Sequence, residues 1–212
     1  MPRTVKKPDE RRSEIIDIAE ELFLEKGYEQ TAVSDIVKKV GVAQGTFYYY
    51  FKSKGEVLDA IIARYIEEIK KGVEDIASKD DLCAMEKLIG FSNFLSGFNQ
   101  DHKSLMDYIH EERNAHLHLK FEMMVPPVLV PLYGRMIEQG VSEGIFDTKY
   151  PMEAAFIIFS SSAALFERAN GLKEFLGDMK ERFDAARDFI ERILGANPGT
   201  FKEYGLKWEG EL

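Results

Sequence analysis

TAVSDIVKKVGVAQGTFYYYFKSK, residues 31–54, holds two short segments of helical apolar spacing separated by a single glycine. Val33, Ile36, Val37 and Val40 form the stripe of one helix, Gly41 stops it, and a second, briefer helix is expected from Ala43 to about Tyr50. In that second helix Phe47 and Phe51 stand four apart and turn inward. Gln44, Gly45, Thr46 and Tyr49 are left facing out from its first turns. Two helices joined by a tight turn, the second short and rich in polar and aromatic residues, form the arrangement that lays one helix into the DNA major groove. The outward residue types suit that task. Gln bonds adenine bidentately, Thr meets a thymine methyl and Gly permits close backbone approach, while tyrosine hydroxyls and Lys54 at a helix start suit phosphate oxygens.

Outward from this stretch the periodicity stays helical. A first helix is expected from about Asp9 to Lys26, with Ile15, Ile16, Ala19, Leu22 and Phe23 as its core stripe and Gly27 as its stop. Ser53 and Glu56 form a capping box that opens a long helix to about Ile76. Further helices are expected over 81–98, 102–115, 118–143, 151–170 and 178–195, eight or nine in all, with a break or kink where Pro126, Pro127 and Pro131 remove backbone donors. The fold class is therefore all-α: an N-terminal three-helix domain, residues 1–53, joined by a long helix to a larger helical domain, residues 54–212. The tail 197–212, around Phe201, Tyr204 and Trp208, is left open between a docked arm and a loose end.

Charge places any polyanion contact at one end. The chain of 212 residues has a formal net charge of −9, which argues against binding nucleic acid with the whole surface. Residues 1–54 carry ten Lys and Arg against nine Asp and Glu, and the remainder carries eighteen against twenty-eight. The lone Cys83 makes no internal disulfide, and no Cys/His cluster has zinc spacing. No metal or cofactor is expected. The basic start runs into charged residues without an apolar core, and the stretch 154–166 is too short to span a bilayer and is interrupted by Ser160, Ser161 and Ser162. A cytoplasmic location and no membrane partner are expected.

Gly27-Tyr28, Thr31, Val33, Ile36, Gly41-Val42, Gly45-Thr46, Tyr48, Tyr50-Phe51 and Lys54 fall in one window with the spacing of a known family. In these roughly sixty residues the chain resembles the tetracycline-repressor (TetR) family of DNA-binding regulators. Beyond them the likeness is one of length, helix count and the phrase Gly144-Ile145-Phe146-Asp147 before Pro151. The resemblance implies phosphate contacts at Thr31, Tyr48, Tyr49 and Lys54 and base reading at Gln44, Gly45 and Thr46, with Tyr49 suited to either. Ala32 and Ala43 depart from the pattern, since the family often carries hydroxyls there. It also implies a homodimer on a palindromic operator in double-stranded DNA, and repression relieved by a small molecule.

The larger domain offers two candidate surfaces. The helix expected from Pro151 is apolar on most of its circumference and must be covered all round. With the helix over 179–194 it resembles the family's dimer-forming pair, and Phe156, Phe159, Ser160, Ala163, Phe183, Ala186 and Ile190 are the expected interface. For an effector with an apolar part, Phe94, Phe98, Tyr108, His110, Asn114, His118, Met123 and Phe156 are the expected lining. On a helix His110, Asn114 and His118 share one face and Glu112 pairs with His116, which suits groups that orient a ligand, a metal site without a specific signature, or histidines bonded only in structure. Two other readings stand beside this one: a regulator without a small-molecule ligand, constitutive or controlled by a protein partner, and an enzyme using His and Glu. The second lacks any nucleophile motif, phosphate loop or metalloprotease spacing.

Overall fold

A computed structural model describes residues 7–111, 114–166 and 176–206, with the backbone alone at 116, 162–164 and 166. Eleven helices occur among them: α1 (Pro8–Lys26), α2 (Val33–Val40), α3 (Gln44–Tyr50), α4 (Lys54–Ala77), α5 (Ala84–Asp101), α6 (Lys103–His110), α7 (Ala115–Met124), α8 (Pro126–Ser142), α9 (Pro151–Phe166), α10 (Met179–Leu194) and α11 (Thr200–Glu203). No strand occurs among the described residues, so the chain is all-α. The count exceeds eight or nine for two local reasons. The segment 118–143 is broken at Val125, because Pro126 and Pro127 have no amide hydrogen to continue the ladder. A short helix, α11, also forms in the tail.

The chain divides into two compact units, one from Met1–Glu68 with His102–Phe121, the other from Ile69–Asp101 with Glu122–Leu212. This grouping follows packing and cuts the chain differently from the division at 53/54 that the motif suggests.

In the first unit α1 packs on α2, α2 on α3, and α1 on α6. Ile15, Ile16, Ala19, Leu22 and Phe23 of α1 meet a core that includes Ile36, Phe47, Phe51, Val57 and Ile61, all buried. The helix stops read from sequence are in place. Gly27 donates its amide to Phe23 O, and Gly41 adopts the left-handed conformation (φ 77°) with its amide on Val37 O. α4 is held to α1 by Arg64, which pairs with Asp17 and Glu20, and by Tyr65, whose hydroxyl donates to Glu20. Burial and that carboxylate push the Tyr65 phenol well above its usual range.

In the second unit α8 packs on α5 and α9, and α9 on α10. Two glycines allow the close seams of α8. A Cβ at Gly134 would meet the Met152 sulfur at 2.3 Å, and one at Gly140 would meet the Phe146 ring at 2.3 Å. After α8 the amides of Ile145 and Phe146 both donate to Gly140 O, and Asp147 donates to Leu194 O. The tail is docked as far as it is described. Phe201 is buried and stacks on Phe146 (centroids 6.3 Å apart, planes 10° apart), and the buried Glu191 carboxylate accepts the amides of Gly199 and Phe201. Trp208 lies outside the described residues.

Candidate nucleic-acid interface

The expected recognition helix exists because one side of it is core. Seven residues are too few for a helix to hold by itself, and α3 has no side-chain cap at Ala43. Phe47 at 0% exposure and Phe51 at 3% fasten it beneath the first two helices. The other side is left in solvent. Gln44 and Gly45 are exposed, Thr46 is half-buried, and Tyr48 and Tyr49 are 51% and 77% exposed. A tyrosine ring so exposed forgoes burial worth about 1.5–3 kcal/mol, so the fold gains little from having Tyr49 there.

Gly45 points the same way. Its φ is not positive, and a Cβ built on it would meet nothing within 4 Å. Neither backbone strain nor packing among the described residues requires glycine in this helix, where it costs about 1 kcal/mol relative to alanine. The space before it is open to a molecule from outside.

Two expected phosphate contacts are placed otherwise. Thr31 is 1% exposed, and its hydroxyl donates to Gly27 O (2.8 Å) and Leu22 O (3.2 Å). It ties the end of α1 to the start of α2 and has no side-chain atom on the surface, which corrects its assignment as a phosphate ligand. Lys54 is half-buried: its ammonium lies 4.1 Å from the Tyr28 ring centroid and donates to the Tyr28 and Glu29 carbonyls. Its charge is held at the turn between α1 and α2. Ser53 caps α4 by accepting the Glu56 amide (3.2 Å), but Glu56 reaches back to the Lys52 amide, so the box is displaced by one residue. Lys39 pairs with Glu21 and Glu25 of α1; the hydrogen bond to Glu21 raises its pKa. Arg12 sits with its guanidinium carbon 5.1 Å from the Phe51 ring centroid at the end of α3.

Comparison with known proteins gives the family. Residues 15–61 match the model of "Bacterial regulatory proteins, tetR family", and residues 97–179 match that of "Tetracyclin repressor-like, C-terminal domain". The chain belongs to the tetracycline-repressor family. Its sequence is 26% identical to the HTH-type transcriptional repressor KstR2 of Rhodococcus jostii over 157 residues, covering 72% of this chain and 76% of that one. The structure is similar to that of SmeT, the repressor of a Stenotrophomonas maltophilia multidrug efflux pump (TM-score 0.63, 21% identity, 89% and 91% of the two chains). It is also similar to the fatty acid degradation regulator FadR of Bacillus halodurans (TM-score 0.57, 26% identity, 91% and 97%). As a TetR-family protein the chain is a DNA-binding transcriptional regulator, and the exposed side of α3 is its candidate reading surface.

The expected effector residues of this TetR-family chain divide between the two units. Tyr108, His110, Asn114 and His118 fall in the first, and Phe94, Phe98, Met123 and Phe156 in the second. Those in the first are largely engaged in structure. The buried Tyr108 hydroxyl accepts the Tyr28 amide, and the buried Asn114 donates to Tyr108 O (2.7 Å) and Glu111. The single helical face expected for His110, Asn114 and His118 is not formed, because α6 ends at His110 and Glu111 is extended (ψ 137°). The rings of His110 and His118 still meet, with centroids 5.0 Å apart, and His110 Nδ1 donates to Met106 O. The pairing expected for Glu112 and His116 lies outside the described residues. In the second unit Phe98 is buried and Phe94 lies against it (6.0 Å), its ring tip seated over Gly72, where a Cβ would come within 2.1 Å. Met123 and Phe156 are exposed, at 69% and 56%.

α9 buries Ala154, Ala155 and Ile158 and leaves Phe156 and Ile157 exposed, with Phe159 half-buried and Ser160 exposed beside them. On α10, Phe183, Ala186 and Ile190 are half-buried, and Phe189 is 57% exposed. The side chain of Ala163 lies outside those described. Ile157, Met179 and Phe189 are exposed apolar side chains that the expected interface omitted. Their helical spacing was visible in the sequence; which side was covered was not.

Proposed function

We propose that this chain is a homodimeric repressor that reads a palindromic operator with α3 and is released from it by a small molecule bound in its larger C-terminal domain. Residues 1–53 serve as the reading module and 54–212 as the sensing and dimerising one. The observation that carries the reading is the bare side of α3: Gln44, Gly45, Tyr48 and Tyr49 lie exposed on a helix whose other side is anchored by Phe47 and Phe51. Gln44, Gly45 and Thr46 meet base edges, and Tyr48 and Tyr49 meet phosphates, with Arg12 as an added cation beside them. The operator is two-fold because the exposed apolar side chains of α9 and α10 are covered by a second copy. Such a dimer presents its reading helices about one DNA turn, ~34–36 Å, apart.

The effector has an apolar body. The structural relatives support this, since one regulates fatty acid degradation and the other, SmeT, has been solved with triclosan. The aromatic residues Phe91, Phe94 and Phe98 of α5 supply matching surface in the second unit. Effector and operator then oppose each other through one reciprocal coupling free energy. The protein acts in the cytoplasm, where its operator is.

Operator selection from a duplex library, followed by fluorescence anisotropy with wild type, Gln44→Ala and Tyr49→Ala, tests the reader. Selection of a palindrome by the wild type, with binding weakened at least tenfold in both folded variants, is expected. Equal binding by all three proteins would remove α3 as the reading surface. Titration of apolar compounds into the operator complex tests release. A compound that binds tightly without altering operator affinity would break the proposed coupling.

A further inference from the structure

We propose that Tyr108 is a positioning residue of the reading module: by accepting the Tyr28 amide, its phenol oxygen ties α6 to the turn between α1 and α2, so that a displacement of α6 reaches α3 without passing through α4. This rests on the repressor reading above and adds the group through which the rest of the chain acts on the reader.

Packing places α6 with the reader. It lies far beyond the motif in sequence, yet residues 102–121 form one compact unit with residues 1–68, and α6 packs on α1. The turn it meets is gripped at one residue from two sides. The Tyr28 amide donates to the Tyr108 hydroxyl, and the Tyr28 carbonyl accepts from the Lys54 ammonium at the start of α4. The same carbonyl accepts the Thr31 amide (3.3 Å), and the Thr31 hydroxyl bonds back to Gly27 O (2.8 Å), so the turn moves as one piece with the start of α2. α2 in turn packs on α3, and Ile36 and Phe47 of these helices are both 0% exposed. An interior packed this closely passes a shift on instead of absorbing it.

Tyr108 is itself fixed near the end of α6. Its side chain is buried, and its carbonyl accepts the Asn114 side-chain amide (2.7 Å). Asn114, buried just ahead of α7, donates its backbone amide to Glu111 O (2.8 Å). The place of the phenol oxygen over the turn is therefore set by where α6 ends and α7 begins. Phenylalanine would keep the buried ring and lose only this reach. A second route runs from α6 to the reader through α4: the His102 ring stands edge-on to Tyr65 (4.8 Å), and the neighbouring Arg64 pairs with Asp17 and Glu20. That route arrives in the middle of α1, whereas Tyr108 meets the turn from which α2 departs, so substitution separates the two. A coupling carried by one such bond amounts to about fivefold in an equilibrium, and it is reciprocal. DNA on α3 is then felt at α6.

Hydrogen exchange read by mass spectrometry tests the tie, on full-length wild type, Tyr108→Phe and Arg64→Gln, each free and saturated with the selected operator duplex. In wild type the operator is expected to change exchange in α6, which lies outside the reading surface, by about fivefold. Tyr108→Phe should lose that response and keep the one in α3, whereas Arg64→Gln should keep both. An α6 response that survives in Tyr108→Phe, or is absent from wild type, overturns the tie; one that is lost in Arg64→Gln moves the route to α4 and overturns it as well. A merely structural hydroxyl would speed exchange around Tyr28 in the free variant and leave the operator response of α6 intact. A Tyr108→Phe chain that does not fold makes the hydroxyl a structural group and rejects the proposal. A wild type that binds no duplex removes the repressor reading and the tie with it.

Discussion

Gly45 and Thr31 make opposite predictions about stability and binding. Because a Cβ at position 45 meets no described residue within 4 Å, Gly45→Ala should stabilise α3 by about 0.5–1 kcal/mol, read as a higher urea midpoint, while weakening operator binding in anisotropy. Loss of stability would mean that the glycine serves the fold. Thr31→Val removes a buried hydroxyl that serves Leu22 O and Gly27 O. It should cost about 1 kcal/mol in the same denaturation experiment and leave the affinity of the folded protein within a factor of two. The contrast shows where residue types are legible. A glycine inside a helix announces its cost in the sequence, and Tyr49 on a helix too short to bury every side announces its exposure. Threonine carries no such mark: the same hydroxyl serves a phosphate at the surface or a carbonyl in the core, and only the fold decides which.

Helix boundaries were legible wherever the backbone itself is restricted. Gly27 and Gly41 end α1 and α2 where expected, and Pro126 and Pro127 separate α7 from α8. The interruption between His110 and Ala115 has no glycine or proline to signal it, since Glu111 turns out of the helix among residues of ordinary helix propensity. The tail was equally silent, because a four-residue helix has no periodicity to detect and its anchors, the Phe201 ring on Phe146 and the Glu191 carboxylate on two of its amides, form only in the fold. That ring should matter. Phe201→Ala is expected to lower stability by about 3–5 kcal/mol, measured by thermal or urea unfolding, and an effect below about 1 kcal/mol would show the docked segment to be dispensable.

For the whole molecule, the exposed apolar side chains of α9 and α10 carry the main prediction. Phe156→Glu and Phe189→Glu each place a charge where a second copy is proposed to cover the surface, at sites that are 56% and 57% exposed in the chain alone. Each variant should elute as a monomer in light-scattering chromatography, retain its helical circular dichroism and lose tight binding to a full operator. A dimer that survives both changes would move the interface elsewhere. The Phe94 ring occupies the volume that a side chain at position 72 would need, so the two positions share one space and their histories are coupled. In an alignment of close relatives, any residue larger than glycine at position 72 should occur together with a smaller residue at 94, and a library randomised at both sites should recover the same exclusion among its folded members.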